Sequence, residues 1–277
     1  MLIQKEMLID GSKITYRISG EGKPVVLIHG FGEDGEVWNN QIEVLKDQYQ
    51  LIIPDLPGSG QSEMVKDMSI EGLAESIKKI LDIEIFNSLS AGAVSKKIYM
   101  IGHSMGGYIT LAYAEKYPEQ LEGLGLFHSS AFADSEEKKT TRQKGIEFIR
   151  QNGAFEFLKT VIPNLFSAIT KEKNTALVQK LVDRSSNFSD AALVSYYKAM
   201  MQRPDRTAVL KNAHIPILLI IGEYDTAVPL TDSLKLCRLP EISYIHLLQK
   251  SGHMGMCEES EKSTQVIAKY LTDRSIF

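Results

Sequence analysis

Cysteine is scarce in this sequence, because Cys237 and Cys257 are the only two among 277 residues. A scaffold held together by several disulfides is therefore excluded. Two thiols without close spacing fit a reducing compartment, so we expect a cytoplasmic protein. The sequence leaves open whether the two thiols pair with each other.

The chain carries no excess of positive charge. It has 31 Lys and Arg residues and 35 Asp and Glu residues, for a formal net charge of −4. Proteins that bind nucleic acid or an anionic membrane carry a basic patch, so neither partner is expected. No apolar run reaches the roughly 20 residues that a transmembrane helix needs. Residues 1–6 contain no basic stretch followed by an apolar one, so no signal peptide is expected. We expect a small-molecule partner, and the sequence does not indicate an oligomeric state.

Short apolar segments alternate along the chain with segments of helical periodicity. Most of the apolar segments are hydrophobic throughout, which is typical of parallel strands that helices cover on both faces. An Asp10-Gly11 turn joins the first two segments and predicts a hairpin. The predicted strands are 3–8, 13–19, 24–28, 51–53, 98–101, 121–127, 215–221 and 242–248. The pattern predicts an α/β fold with a mostly parallel central sheet and helices on both faces.

The pattern changes after the sixth predicted strand, where a long part of the chain shows helical periodicity alone. Its predicted helices are 135–151, 153–161, 172–184 and 189–202. Those elsewhere are 37–48, 69–83, 108–113, a helix after Pro229, and 259–271. We therefore predict a core domain formed by 1–131 and 206–277, with a helical cap over 132–205 inserted into it. Residues 87–94 are small and polar and are expected to form a surface connection.

A Gly-x-Ser-x-Gly pattern lies between an apolar segment and a helical one, at Gly102, Ser104 and Gly106. A serine on a sharp strand-to-helix turn projects its hydroxyl past the edge of the sheet, and crowding then favours glycine two residues before and after it. The following helix points free N–H groups at whatever the serine attacks. The alternative is a glycine-rich turn with a capping serine, because the pattern alone also occurs by chance.

Three further loops follow the carboxyl ends of predicted strands, where parallel α/β sheets place their chemistry. They contain His29-Gly30-Phe31-Gly32, Gly222-Glu223-Tyr224-Asp225 and Ser251-Gly252-His253-Met254. A serine, an acid and a histidine thus reach the same edge in that order. A neutral imidazole can take the proton of a serine hydroxyl, a carboxylate can orient the imidazole, and two N–H groups can hold the charge on a carbonyl oxygen.

With these residues the sequence resembles the α/β-hydrolase superfamily over nearly its whole length. It is most similar to the branch of cap-bearing esterases and cofactor-free perhydrolases. The resemblance implies that Ser104 is the nucleophile, Asp225 the acid and His253 the base. It further implies that the backbone N–H groups of Phe31 and Met105 form the oxyanion hole.

The acid has two rivals in the sequence, Glu223 and Asp232. Ile221 ends the strand, so Glu223 is expected to lie too close to the sheet to reach a histidine. Asp232 falls at the start of a predicted helix, where the helix dipole explains a carboxylate. Asp225 lies in the loop between them and is therefore our prediction.

The leading interpretation is a serine hydrolase of small esters or related acyl compounds that works through an acyl-enzyme. His103 and Phe31 are then expected to contact the substrate. The alternatives are a carbon–carbon bond hydrolase on the same triad and a non-enzymatic small-molecule receptor on the same fold. The resemblance weakens the first alternative, since those hydrolases usually carry Asn where this chain has His103.

Other chemistry is not expected from this sequence. The resemblance disfavours haloalkane dehalogenase and epoxide hydrolase activity, because such relatives carry Asp where this chain has Ser104. The sequence contains no cluster of metal ligands and no phosphate-binding glycine loop, so neither a metal nor a cofactor is expected.

Overall fold

An eight-stranded sheet forms the centre of the computed structural model, which describes residues 1–87 and 97–273. The strands are β1 (Leu2–Ile9), β2 (Ser12–Ser19), β3 (Lys23–Ile28), β4 (Tyr49–Pro54), β5 (Ile98–His103), β6 (Leu121–Phe127), β7 (Ile217–Gly222) and β8 (Ser243–Leu248). Their order across the sheet is β1-β2-β4-β3-β5-β6-β7-β8. The pairs β1–β2 and β2–β4 are antiparallel and the other pairs are parallel. The predicted fold class is confirmed.

The opening hairpin forms as the Asp10-Gly11 turn predicts. Both turn residues have positive φ angles, 51° for Asp10 and 89° for Gly11. Two successive positive φ angles define the two-residue turn whose twist matches that of the flanking strands. The hairpin supplies the antiparallel edge of the sheet.

Helices connect the strands and cover the sheet. They are α1 (Asn39–Leu45), α2 (Ile70–Leu81), α3 (Met105–Lys116), α4 (Glu136–Asn152), α5 (Ala154–Val161), α6 (Ala168–Lys173), α7 (Thr175–Arg184), α8 (Asp190–Gln202), α9 (Thr207–Lys211), α10 (Leu230–Leu236), α11 (Gly255–Glu258) and α12 (Ser260–Thr272). The helix α2 packs on α3, and α1 packs on α12. The strands β3 and β5, which lie between these layers, are buried along nearly their whole length.

Two predicted helices are divided or shortened in the structure. The segment predicted as 37–48 begins with a 3₁₀ turn at Gly35–Trp38, and α1 then ends at Leu45. The segment predicted as 172–184 is interrupted because the Asn174 side chain accepts a hydrogen bond from the Leu177 N–H at 3.2 Å and starts α7 as a separate helix. The last helix, predicted as 259–271, corresponds to α12, which begins and ends one residue later.

The helices α4 to α8 all lie between β6 and β7 along the chain, as predicted. The helix α4 packs on both α5 and α8. The division of the chain into a core and a cap at residues 132 and 205 stays a prediction. Apart from Asn87, the predicted surface connection at 87–94 lies outside the described residues.

Both cysteines are free. Burial raises the pKa of the Cys257 thiol to about 12, so this side chain remains a neutral thiol at physiological pH. Across 1–87 and 97–273, no helix combines the length and the apolar character that a membrane crossing requires.

Candidate active site

Ser104 lies on a sharp turn between β5 and α3. Its backbone angles are φ 50° and ψ −115°, a conformation that residues with a side chain rarely adopt. A Cβ atom on Gly102 would lie 2.2 Å from the carbonyl oxygen of Gly106, and one on Gly106 would lie 2.5 Å from that of Ile28. The glycines therefore allow the turn to form. The Ser104 side chain is partly exposed at the carboxyl end of the sheet.

Asp225 and His253 meet at the same edge of the sheet. The distance between His253 Nδ1 and Asp225 Oδ2 is 2.8 Å. The other carboxylate oxygen, Oδ1, accepts the backbone N–H groups of Ala227 and Val228, each at 2.9 Å. The rival Asp232 instead contacts Lys235 on its own helix at 2.9 Å. Of the candidate acids, Asp225 is thus the one that the structure joins to His253.

This contact changes the protonation of both groups. Burial by itself would raise the pKa of the Asp225 carboxyl, but the charge of His253 and the contacts with His128 and His253 lower that pKa well below its ordinary value. Burial by itself would lower the pKa of His253, but the charge and the hydrogen bond of Asp225 outweigh burial and raise it. Asp225 is therefore ionised at neutral pH.

A second histidine, His128, lies beside the same carboxylate. Its Nδ1 is 3.2 Å from Asp225 Oδ2, and its ring is fully buried. A Cβ atom on Gly222 would lie 2.7 Å from this ring and one on Gly255 would lie 2.3 Å from it, so both glycines make room for it. Burial lowers the pKa of His128 to about 4, and the ring is neutral at neutral pH. The sequence does not reveal this contact, because a histidine after a strand end carries no signal of its own.

His128, Asp225 and His253 also form the one grouping in the described parts of the chain whose spacing could suit a metal ion, with potential ligand atoms within 4.8 Å of one another. Hydrogen bonds account for the contacts of Asp225 with His253 and with the backbone of its own loop, whereas His128 lies close to the carboxylate without a well-aligned hydrogen bond. One Asp225 oxygen is held by two backbone N–H groups, and the other faces the two imidazoles. The geometry is that of an oriented histidine–carboxylate pair.

The loop after β3 packs against the Ser104 turn. A Cβ atom on Gly30 would lie 3.1 Å from the Cβ of Ser104 and 3.0 Å from Nδ1 of His103. Phe31 follows directly in this loop. Met105 is the first residue of α3, where a backbone N–H has no partner within the helix. The segments that carry the two predicted oxyanion-hole N–H groups therefore lie next to each other, and the roles of Phe31 and Met105 stay predictions.

The Phe31 side chain joins an aromatic cluster with the helices α5 and α8. Its ring stacks on Tyr197, with centroids 4.5 Å apart and planes 13° apart. Edge contacts connect it to Phe157 at 6.4 Å and to Tyr196 at 6.3 Å. Phe31 remains partly exposed, and its contact with substrate stays a prediction.

The His103 side chain lies inside the protein at this edge, and its predicted contact with substrate stays a prediction. The ring is fully buried, its Nδ1 lies 3.0 Å from Glu33 Oε2, and its Nε2 lies 2.9 Å from the carbonyl oxygen of His253. Both nitrogens are thus engaged within the protein. The sequence does not reveal the role of Glu33 either, because Glu33 is one of several acidic residues in the 33–36 stretch and nothing in the sequence distinguishes it.

The helical segment between β6 and β7 contacts two of the loops at this edge. The carbonyl oxygen of Leu165 accepts the backbone N–H of His253 at 2.7 Å. A Cβ atom on Gly32 would lie 2.7 Å from the Leu158 side chain, so the loop after β3 fits against α5 through a glycine. The segment therefore lies over the edge where Ser104 and His253 stand.

An apolar cleft opens between this segment and the loop after β3. Its empty space is about 430 Å³ with its open mouth included. The apolar residues that line it include Phe31, Val37, Ile162, Leu165, Phe188 and Met254. Arg184, at the end of α7, also lines the cleft and forms ion pairs with Asp34 and Glu36, the latter at 3.1 Å.

Comparison with known proteins identifies the family. The family model described as alpha/beta hydrolase fold matches residues 23–260. Lipase 1 of Psychrobacter immobilis is 27% identical over 99% of this chain and 84% of its own length. The 3-oxoadipate enol-lactonase 1 of Acinetobacter baylyi is 24% identical over 94% of each chain. The structure of a thermophilic esterase from Thermogutta terrifontis superposes with a TM-score of 0.86 at 27% identity, covering 98% of both chains.

Proposed function

Because the chain belongs to the alpha/beta hydrolase fold family, we propose that it is a serine hydrolase that cleaves small esters or related acyl compounds through an acyl-enzyme. The observation that carries this proposal is the 2.8 Å contact between His253 Nδ1 and Asp225 Oδ2, at the edge where Ser104 stands on its strained turn. An imidazole whose Nδ1–H is held by a carboxylate presents Nε2 as a base. The lipase, the enol-lactonase and the esterase to which the chain is similar support ester cleavage as the reaction class.

In the acylation step, Ser104 Oγ attacks the carbonyl carbon of the substrate while His253 Nε2 takes the hydroxyl proton. The carbonyl electron pair moves onto oxygen, and the N–H groups of Phe31 and Met105 stabilise the resulting negative charge. The ionised Asp225 stabilises the imidazolium. As the intermediate collapses, the bond to the leaving oxygen breaks, and that oxygen takes the proton from His253.

In the deacylation step, a water molecule repeats this sequence on the acyl-enzyme. His253 takes one proton from the water as its oxygen bonds to the acyl carbon. The bond to Ser104 Oγ then breaks, and the serine recovers its proton from His253. The products are a carboxylic acid and the free enzyme, so the cycle consumes one water and needs no other reactant.

We propose that residues 132–205 act as a cap that limits the size of the acyl group. Its contacts with His253 and Gly32 and the apolar cleft beside Phe31 support this role. A closed apolar site excludes bulk water and favours small apolar acyl groups. We further propose that the protein works in the cytoplasm, which the two free thiols support.

The test is covalent labelling by a fluorophosphonate probe, with Ser104→Ala as the critical variant. Wild-type protein should be labelled and Ser104→Ala should not. Ser186→Ala, which removes an exposed hydroxyl from the proposed cap, is the matched control and should label like the wild type. Undiminished labelling of Ser104→Ala would show that Ser104 is not the nucleophile.

The substrate class is tested with pure protein on esters, thioesters, lactones, amides and a diketone with a cleavable carbon–carbon bond. Ester turnover that depends on Ser104 is the expected result. Turnover of the diketone alone would favour the carbon–carbon bond hydrolase instead. Binding without turnover of any substrate would favour a receptor.

A further inference from the structure

We propose that Glu33 and His103 form a buried ion pair that positions the oxyanion-hole loop and the His253 loop around Ser104. The proposal rests on the proposed function for its catalytic consequence, but the ion pair itself does not. Neither residue touches the reacting atoms in the proposed mechanism. Both are therefore positioning residues.

The charge of His103 follows from the chemistry of its two partners. Its Nδ1 lies 3.0 Å from a Glu33 carboxylate oxygen, and its Nε2 lies 2.9 Å from the carbonyl oxygen of His253. Both partners accept hydrogen bonds, so each ring nitrogen must carry a hydrogen in order to donate one. A ring with two N–H groups is the imidazolium cation.

The nearby His29 shows the contrasting case. The backbone N–H of Leu56 donates to His29 Nε2 at 2.9 Å, so this nitrogen carries no hydrogen. The hydrogen then lies on His29 Nδ1, which donates to the carbonyl oxygen of Gly30 at 2.9 Å. One donor partner and one acceptor partner fit a neutral ring, whereas two acceptor partners, as at His103, fit a charged one.

Glu33 is the counter-charge. Its Oε2 lies 3.0 Å from His103 Nδ1 and accepts the backbone N–H of Gly30 at 2.7 Å, and two N–H donors on one oxygen favour the ionised carboxylate. Burial by itself would raise the pKa of Glu33, but the charge and hydrogen bond of His103 and the Gly30 N–H lower it. The two side chains are 8% and 0% exposed, so solvent screens this pair little.

The pair connects three loops that the proposed mechanism requires. Glu33 holds the Gly30 N–H, and Gly30 immediately precedes Phe31, the predicted donor to the oxyanion. His103 immediately precedes Ser104. Its Nε2–H holds the main chain of His253. One ion pair thus fixes the relative positions of the oxyanion loop, the nucleophile turn and the loop of the base.

The charged and titratable groups around His103 make the proposal testable by pH. Glu33 faces the ring from the loop after β3, and His253 faces it from the loop after β8 with ring centroids 4.9 Å apart. His128 faces it from the end of β6 at 6.1 Å. Glu33 also contributes to the raised pKa of His253 through its charge. Removing that charge should therefore lower the pH at which His253 loses its proton.

The first measurement needs only the wild-type protein. Nitrogen-15 NMR of histidine-labelled protein at pH 7.5 should show one-bond N–H signals from both nitrogens of the His103 ring. The signals are assigned by their loss in His103→Asn. If that variant does not fold, they are assigned by their change in chemical shift in Glu33→Asp. A single N–H signal from this ring would overturn the ion pair. A protein that turns over no ester but shows both signals would overturn the proposed function and leave the ion pair standing.

The second measurement uses Glu33→Gln, which keeps the side-chain size and removes the charge. Deleting a whole oxyanion donor costs roughly 10²–10³ in kcat, so displacing one should cost less, about 10–10², with KM unchanged within about threefold. The acid limb of the kcat/KM profile should also move to lower pH. Glu33→Asp keeps the charge, so the acid limb of its kcat/KM profile should lie at the wild-type pH. Glu43→Gln, on the exposed side of α1, should behave like the wild type. An unmoved limb with kcat within twofold of wild type would overturn the positioning role.

Discussion

The Asp225 carboxylate is almost saturated with donors. One oxygen accepts the N–H groups of Ala227 and Val228, and the other lies 2.8 Å from His253 and 3.2 Å from His128. A carboxylate held in this way keeps both its charge and its orientation. The sequence could identify this residue because a loop acid before a Pro-initiated helix had few rivals.

The supporting residues could not be predicted in the same way. Glu33 reaches His103, and His128 reaches Asp225, only because the ends of β3, β5, β6 and β7 meet at one edge of the sheet. Neither residue has a spacing or a flanking glycine pattern that marks it. For the same reason the sequence could not show the partners of His103, which lie 70 and 150 residues away along the chain.

The first residue-scale prediction concerns Asp225→Asn. The amide should keep the fold but favour the wrong tautomer of His253, so we expect turnover to fall by roughly 10²–10⁴, since the corresponding change in a serine protease costs about 10⁴. The free energy of unfolding should change by no more than about 1 kcal/mol. Steady-state kinetics of the ester substrate measure the effect.

The control for that change is Asp232→Asn, in which the lost carboxylate contacts Lys235 on the surface. It should retain turnover close to the wild-type value. If Asp225→Asn kept more than a tenth of wild-type turnover while Asp232→Asn or Glu223→Gln lost it, the acid would have to be reassigned.

The second residue-scale prediction is the pH dependence of kcat/KM. His253 acts as a base in its neutral form, so activity falls as the pH drops through its pKa. Asp225 raises that pKa, and the acid limb should therefore have its midpoint above the value of about 6.5 for an unperturbed histidine. In Asp225→Asn the midpoint should move to lower pH. A wild-type midpoint below 6 would contradict the proposed coupling of the two residues.

At the scale of elements, the strands could be predicted better than the helices. The apolar run 121–127 predicted β6 with the bounds that the structure shows, Leu121–Phe127, because a strand buried on both faces leaves a continuous signal. Helix ends depend on single capping side chains. Asn174 divides a predicted helix into α6 and α7 by capping Leu177, which periodicity does not reveal.

The element-scale prediction concerns the proposed cap. Wild-type protein should hydrolyse acetate and butyrate esters faster than octanoate esters, because the proposed cap contacts both the loop after β3 and the loop of His253. Arg184→Gln removes the ion pairs from α7 to Asp34 and Glu36 and should raise the octanoate-to-butyrate ratio severalfold. Because partly exposed ion pairs contribute about 1 kcal/mol or less, the melting temperature should change little.

Lys180→Gln is the matched control on the same helix, since it removes an exposed cation from α7. Its chain-length profile should equal that of the wild type. Octanoate hydrolysed as fast as butyrate by the wild type would show that residues 132–205 do not restrict the acyl group.

At the scale of the whole molecule, stability and chemistry occupy different parts of the sheet. The candidate site gathers at the carboxyl ends of the strands, as parallel α/β sheets favour. Towards the other end, α12 packs on the sheet through Tyr270, whose hydroxyl donates to the carbonyl oxygens of Pro216 at 2.7 Å and Leu124 at 3.3 Å. Gly123 makes room for this hydroxyl, because a Cβ atom there would lie 2.2 Å from it.

The last prediction uses this separation. Tyr270→Phe removes a hydroxyl that is buried between β6 and the start of β7, and the loss of its hydrogen bonds should cost about 1 kcal/mol. The cost stays small because the Pro216 carbonyl oxygen also accepts the Leu124 N–H at 3.2 Å and is not left without a donor. For a chain of this size the melting temperature should fall by about 2–4 °C, while kcat and KM stay within twofold of wild type. Tyr117→Phe, which removes a partly exposed hydroxyl bonded to Glu75, should shift the melting temperature less. A large loss of turnover in Tyr270→Phe at unchanged stability would show that the packing of α12 controls the site as well as the fold.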